Sequence, residues 1–147
     1  KRYWKVREAV INNKYNSRII NYVLLLYIKR SDAFNGASLG TYIGYGAKFK
    51  SVPVLPHGIS GIYISHNASI GKNARIYQQV TIGEGNDGAP TIGDNCFIGA
   101  GAKIIGNINI GNDVKIGCNC VVVEDIPDGA TVVLHKPRII LKDKYYE

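Results

Sequence analysis

An aliphatic residue at every sixth position constrains this chain more than any other feature. Ile64, Ile70, Ile76 and Ile82 fall six apart, and after one gap of ten Ile92, Ile98, Ile104, Ile110, Ile116 and Val122 resume the spacing. Glycine follows the aliphatic at Gly71, Gly83, Gly93, Gly99, Gly111 and Gly117, and a small or β-branched residue sits four beyond it at Ala68, Ala74, Val80, Ala102 and Val114. A helix repeats near 3.6 residues and a strand at 2, so neither makes this beat. A coil of short strands does. Each hexapeptide contributes one inward aliphatic, Gly or Asn takes the tight turn, and three hexapeptides close a triangular turn that pairs in parallel with its neighbours. Ile64 then stacks with Ile82, and Ile98 with Ile116, giving a column of isoleucines with small residues packed beside it.

The phase reaches back to Ile43, Phe49 and Leu55 and ends at Glu124–Gly129, a turn-rich stretch before a last strand at 131–134. Two spacings break it: Leu55 to Ile64 is nine residues and Ile82 to Ile92 is ten. Insertions in a solenoid become surface loops, often on the working face. These loops are His57-Gly-Ile-Ser-Gly61 and Glu84 to Pro90. Ahead of the repeat, Ile20, Val23, Leu24, Tyr27 and Ile28 follow the spacing of an amphipathic helix. The chain therefore reads as an N-terminal helical segment (1–35), an all-β solenoid (36–134) and a C-terminal tail (135–147).

Charge narrows the partners. The formal net charge is +7, yet residues 1–30 carry eight Lys/Arg against one acid while residues 31–134 carry six against eight. A nucleic-acid binder shows its cations as a stripe on the folded body, so no nucleic-acid partner is expected. The apolar run 19–28 is far short of the ~20 residues that span a bilayer, and no cleavage site follows it. Three cysteines without paired metal spacing suit a reducing compartment, the cytoplasm, and imply no metal. Cys96 and Cys120 occupy the small-residue slot and should be buried, whereas Cys118 falls in the outward part of its repeat.

Three stretches carry a resemblance: Leu55-Pro-His-Gly-Ile-Ser-Gly-Ile-Tyr-Ile64, Ile76-Tyr-Gln-Gln-Val-Thr-Ile-Gly83, and Ala89-Pro-Thr-Ile-Gly-Asp-Asn-Cys-Phe-Ile-Gly-Ala-Gly-Ala-Lys-Ile-Ile-Gly-Asn107. The chain resembles the hexapeptide-repeat acyltransferases, in the serine acetyltransferase-like branch that includes sugar and capsular-polysaccharide O-acetyltransferases. The resemblance implies a left-handed parallel β-helix, an exception to the right-handed crossover rule. It also implies homotrimers with active sites between subunits, and acetyl-CoA as donor. Three positions depart from the serine enzymes: Pro56 replaces an Asp before the catalytic His, Ala89 replaces a second His, and the Asp that orients the catalytic His falls near Tyr42 here. From these departures the expected acceptor is a hydroxyl of a sugar or polysaccharide precursor. Serine is the same-class alternative, and a non-catalytic binding scaffold is the rival from another class.

Acetyl transfer to an alcohol needs a base, and a histidine with an ordinary pKa near 6.5 offers a neutral acceptor nitrogen. His57, in the first inserted loop, takes that role; His66 and His135 stay outside catalysis. Glu84, Asp87 and Gln79 are candidates for binding the acceptor. Gly83 could direct a backbone N–H at the thioester oxygen. The segment Gly99, Ala100, Gly101 and Ala102, with Cys118, is the expected channel for the pantetheine arm of CoA. Lys103, Lys115, Lys136 and Arg138 are candidate partners for its phosphates. The basic N-terminal segment could dock on its own trimer, another enzyme or a membrane surface.

Overall fold

The computed structural model describes residues 2–136 and 138, so most of the expected tail 135–147 lies outside the described residues. Fourteen short strands, β1–β14, follow two helices, α1 (Arg2–Ile11) and α2 (Arg18–Phe34). From the third strand on, they wind into a left-handed parallel β-helix with three flat faces. The first face stacks β4 (Tyr63–Ile64), β7 (Thr81–Gly83), β10 (Lys103–Ile105) and β13 (Val121–Val122). The second stacks β3 (Lys48–Phe49), β5 (Ser69–Ile70), β8 (Thr91–Ile92) and β11 (Asn109–Ile110). The third stacks β6 (Arg75–Ile76), β9 (Phe97–Ile98), β12 (Lys115–Ile116) and β14 (Thr131–Val132).

The hexapeptide phase sets the register. Ile64, Ile82, Ile104 and Val122 stand in line on the first face, Ile70, Ile92 and Ile110 on the second, Ile76, Ile98 and Ile116 on the third. These isoleucines and the small-slot residues Ala68, Ala74, Val80, Ala102 and Val114 are all buried, each Ile contributing roughly 1.5–3 kcal/mol. Cys96 and Cys120 are buried and Cys118 is exposed. At the corners, Asn73, Asn95, Asp113, Asn119 and Gln79 take positive φ between 56° and 60°, a conformation that Asn and Asp tolerate better than most side chains. Their side chains also tie the turns: Asn73 donates to Asn95 and Asn95 to Asp113, each at 3.1 Å.

Two expectations need correction. The phase does not extend to Ile43. Phe49 and Leu55 pack against the core, but Ile43 is exposed at the tip of an antiparallel hairpin of β1 (Thr41–Tyr42) and β2 (Tyr45–Gly46). The N-terminal segment, expected as one helix, is two, and α2 buries a different face from the expected one. Asn21, Ile28 and Asp32 are its buried residues, while Ile20, Val23 and Tyr27 are exposed. Polar anchors explain this. Asn21 donates to Asn13 Oδ1 at 2.7 Å and to the Tyr15 carbonyl at 2.6 Å, and Asp32 accepts a 2.6 Å bond from the Tyr3 hydroxyl. Burial pushes the Asp32 carboxyl above the ordinary aspartate range. Arg7 of α1 locks the helices to the solenoid by donating to the Leu39 and Ala47 carbonyls at 2.9 and 2.7 Å.

Candidate active site

The chain crosses three corners per turn, and the two inserted loops occupy different ones. His57 lies where the chain passes from the third face to the first. Gln78–Gln79, Ala100–Gly101 and Cys118–Asn119 occupy the same corner on successive turns. Backbone bonds bind this ladder: Gln79 N–H donates to the Ser60 carbonyl at 3.1 Å, Gly101 to Gln78 at 3.0 Å, and Asn119 to Ala100 at 2.8 Å. Above it, Gly61 N–H donates to the carbonyl of Asn35, the C-cap of α2, at 3.0 Å. The His57 loop is thus held between the helical segment and the ladder.

The His57 ring is exposed, and its aromatic neighbour is Tyr77, with ring centroids 5.8 Å apart; Phe97 continues the aromatic row 5.2 Å from Tyr77. Among the described residues no hydrogen bond or ion pair fixes the imidazole, so the chain's own carboxylates do not orient it. Tyr42, the position near the family's orienting Asp, stacks on Tyr45 at 4.9 Å and meets the edge of His66 at 5.4 Å, away from His57. The hexapeptide pattern does not single out Phe97 as a neighbour of this aromatic row. Its signal was the coil length, which pairs it with Arg75 one turn earlier.

Gln79 stands directly beneath the His57 loop, close enough that a side chain added at Gly61 would meet it at 3.1 Å. The other acceptor candidates are elsewhere. Glu84 and Asp87 lie at the corner between the first and second faces, at the opposite edge of the first face from His57. Glu84 accepts from Asn67 at 2.7 Å and Ser65 at 3.1 Å, bonds that hold its carboxyl below the usual range. Gly83 belongs to that same edge, so within one chain its N–H does not reach a thioester placed beside His57.

The donor ladder is small-sided. Ala100 and Gly101 are half-buried and Cys118 is exposed, and Asn119 tucks its amide under Gly101 instead of across the corner. Lys103 Nζ donates to the Gln79 carbonyl at 2.8 Å and brings a cation to this ladder. Lys115 is exposed on β12, in register with Phe97, and Lys136 and Arg138 are exposed beyond β14. Ala102 offers the expected channel no side chain: it is 0% exposed, its methyl is in the core and its carbonyl accepts from Thr81. Gly99 is also buried. The space its missing Cβ leaves is taken by the next turn, Cys118 N lying 2.7 Å from where that carbon would be. Among the described residues no group of His, Cys, Asp and Glu converges to hold a metal.

Residues 89–124 match the family model described as bacterial transferase hexapeptide (six repeats). A serine acetyltransferase of Helicobacter pylori is 40% identical over 109 residues, covering 71% of this chain and 63% of that protein. A serine acetyltransferase of Staphylococcus aureus is 42% identical over 108 residues, covering 71% and 50%. Among solved structures, serine acetyltransferase isoform 3 of Entamoeba histolytica in complex with cysteine superposes with a TM-score of 0.75 at 33% identity over 96% of this chain and 50% of its own. The Neisseria gonorrhoeae serine acetyltransferase in complex with serine gives 0.68 at 32% identity over 92% and 53%. The chain therefore spans about half to just under two thirds of these relatives. Their names point to serine, where the sequence departures had pointed to a sugar.

Proposed function

The chain belongs to the hexapeptide-repeat acyltransferases, in their serine acetyltransferase-like branch, and from that premise we propose that it transfers acetyl from acetyl-CoA to a hydroxyl, with His57 as general base and serine as the first acceptor to test. The observation that carries this reading is the placement of His57 at the head of a small-sided corner ladder. A base there meets a donor laid along Ala100, Gly101 and Cys118.

In the proposed reaction the acceptor hydroxyl gives its proton to the neutral imidazole of His57 as its oxygen attacks the thioester carbonyl. The C–S bond breaks, and the imidazolium returns the proton to the departing thiolate, leaving an ester and free CoA. A positioned base of this kind is worth about 10²–10⁴ in rate. The direct route needs no covalent enzyme intermediate. Lys103, Lys115, Lys136 and Arg138 would hold the phosphates of CoA. In the homotrimer that the family resemblance suggests, the neighbouring subunit's other corner would supply Gly83 as oxyanion donor and Glu84 and Asp87 as acceptor contacts.

A second reading keeps a sugar or polysaccharide-precursor hydroxyl as acceptor. Pro56, Ala89 and the absence, among the described residues, of a carboxylate holding the His57 ring favour it. The test is thiol release from acetyl-CoA by wild type and His57→Ala over serine, homoserine, galactose, N-acetylated amino sugars and capsule oligosaccharides. Turnover of serine that His57→Ala loses supports the first reading, and turnover of a saccharide alone supports the second. No turnover with any acceptor, together with no CoA binding, refutes acetyl transfer.

A further inference from the structure

α2 carries its apolar residues on the wrong side for a helix that packs on a solenoid. At 100° per residue, Ile19, Val23, Leu26 and Phe34 fall on the side opposite the buried Asn21, Ile28 and Asp32. Ile19 is 77% and Phe34 92% exposed. A groove of about 580 Å³ lies at the N-terminal end of α2, lined by Arg18, Ile19, Tyr22, Val23 and the hairpin-tip Ile43, with Asn13 and Asn21 supplying its polar wall. Charge of one sign accompanies the apolar face: Arg30 is exposed within it, one turn from both Leu26 and Phe34, Arg18 is exposed at its start, Lys14 lies just before the helix, and Lys29 lies over the Tyr42 ring at 4.4 Å. The two acids of this segment do not offset them, since Asp32 is buried against Tyr3 and Glu8 lies on α1. No helix among the described residues is long and apolar enough to cross a membrane.

An apolar stripe flanked by Arg and Lys on a helix that does not span is the pattern of a helix lying in the interface of an anionic bilayer. We propose that the exposed face of α2 docks this protein on an anionic phospholipid surface. Ile19, Val23, Leu26 and Phe34 enter the acyl boundary, and Arg18 and Arg30 meet the phosphates. The solenoid, residues 36–134, carries six Lys/Arg against seven acids and so lacks the cationic excess of the helical segment, which orients the docking. Because the α2 C-cap residue Asn35 accepts from Gly61 in the His57 loop, a docked helix places the candidate active site beside the headgroups.

The experiment is cosedimentation of the full chain with large vesicles of phosphatidylglycerol and phosphatidylcholine, against phosphatidylcholine alone, in low and high salt. The expected result is binding to the anionic vesicles that weakens with salt. Reversing two cations by Arg18→Glu with Arg30→Glu should weaken it at least ~25-fold, taking about fivefold per basic residue. Leu26→Glu, on the same exposed face, should weaken it without changing the helical circular-dichroism signal. Equal binding by wild type and both variants overturns the proposal, as does absence of binding to anionic vesicles. A variant that changes the sedimentation coefficient while wild type ignores lipid also overturns it and assigns the face to a second copy of this chain.

Discussion

Alanine at position 99 should separate two reasons for a glycine in a solenoid. Gly99 does not need a positive φ; it needs room. A Cβ there would lie 2.7 Å from Cys118 N and 2.9 Å from Gly117 C and Ile116 O, all backbone atoms that cannot rotate away. Ordinary carbon contacts begin near 3.5 Å. The adjacent turn must therefore retreat by most of an ångström, in the place where Gly99 N–H donates to the Ile116 carbonyl at 2.8 Å. Overpacking costs about 1–3 kcal/mol and the loosened bond about 1 more. For a chain of this size that sum lowers the melting temperature by roughly 10 °C. The comparison is Gly36→Ala, whose φ is +55° but which has nothing within 4 Å of the new carbon, so that only backbone strain of about 1 kcal/mol opposes it. Thermal unfolding without ligand reads both. The reasoning fails if Gly99→Ala melts within 2 °C of wild type or is less damaging than Gly36→Ala.

Two further outcomes follow from the buried anchors and the corner ladder. Asp32, whose pKa is raised by burial, favours folding most while it is protonated, and that contribution fades as pH rises above the ordinary Asp value of ~3.9 through the raised one. Asp32→Asn keeps an oxygen acceptor for Tyr3, so its urea-unfolding stability should gain on wild type as pH climbs from 4 to 7; a gap that is flat or narrows refutes this. Lys103→Met should raise the KM for acetyl-CoA about fivefold with little change in kcat, the size of one exposed ion pair. An unchanged KM would leave Lys103 only its bond to the Gln79 carbonyl.

Much of the fold was legible because one residue type repeats at one phase, and a solenoid turn has no other use for an isoleucine every sixth position. The same pattern misled at Ile43, where a hairpin supplies the spacing without the coil. It was silent about α2, where the apolar residues face outward and Asn21 and Asp32 face in. Polar anchoring does not show in a periodicity of hydrophobes. At the site, the two inserted loops and His57 were visible as breaks in the count. Which corner each loop occupies needed the faces to be assigned, and that assignment moved Glu84, Asp87 and Gly83 to the opposite edge from His57. The burial of the Ala102 methyl was not legible for a simpler reason: a small residue beside a ligand and a small residue in a core look alike in sequence.

The second insertion leaves the stack in step. Ile64 pairs with Ile82 across eighteen residues and Ile82 with Ile104 across twenty-two, yet both pairs share one ladder. A length change at the exposed tip of this loop, Glu84–Asp87, therefore need not disturb the core, whereas Ala89 packs on the core and Pro90 is buried with its carbonyl accepting from Ser69. The His57 corner stays fixed meanwhile, since Asn35 above and Gln79 below both hold it. With the roles proposed above, such an architecture lets acceptor preference drift between lineages faster than the proposed base or donor ladder can. Relatives sharing this scaffold should differ first in the loop after Gly83.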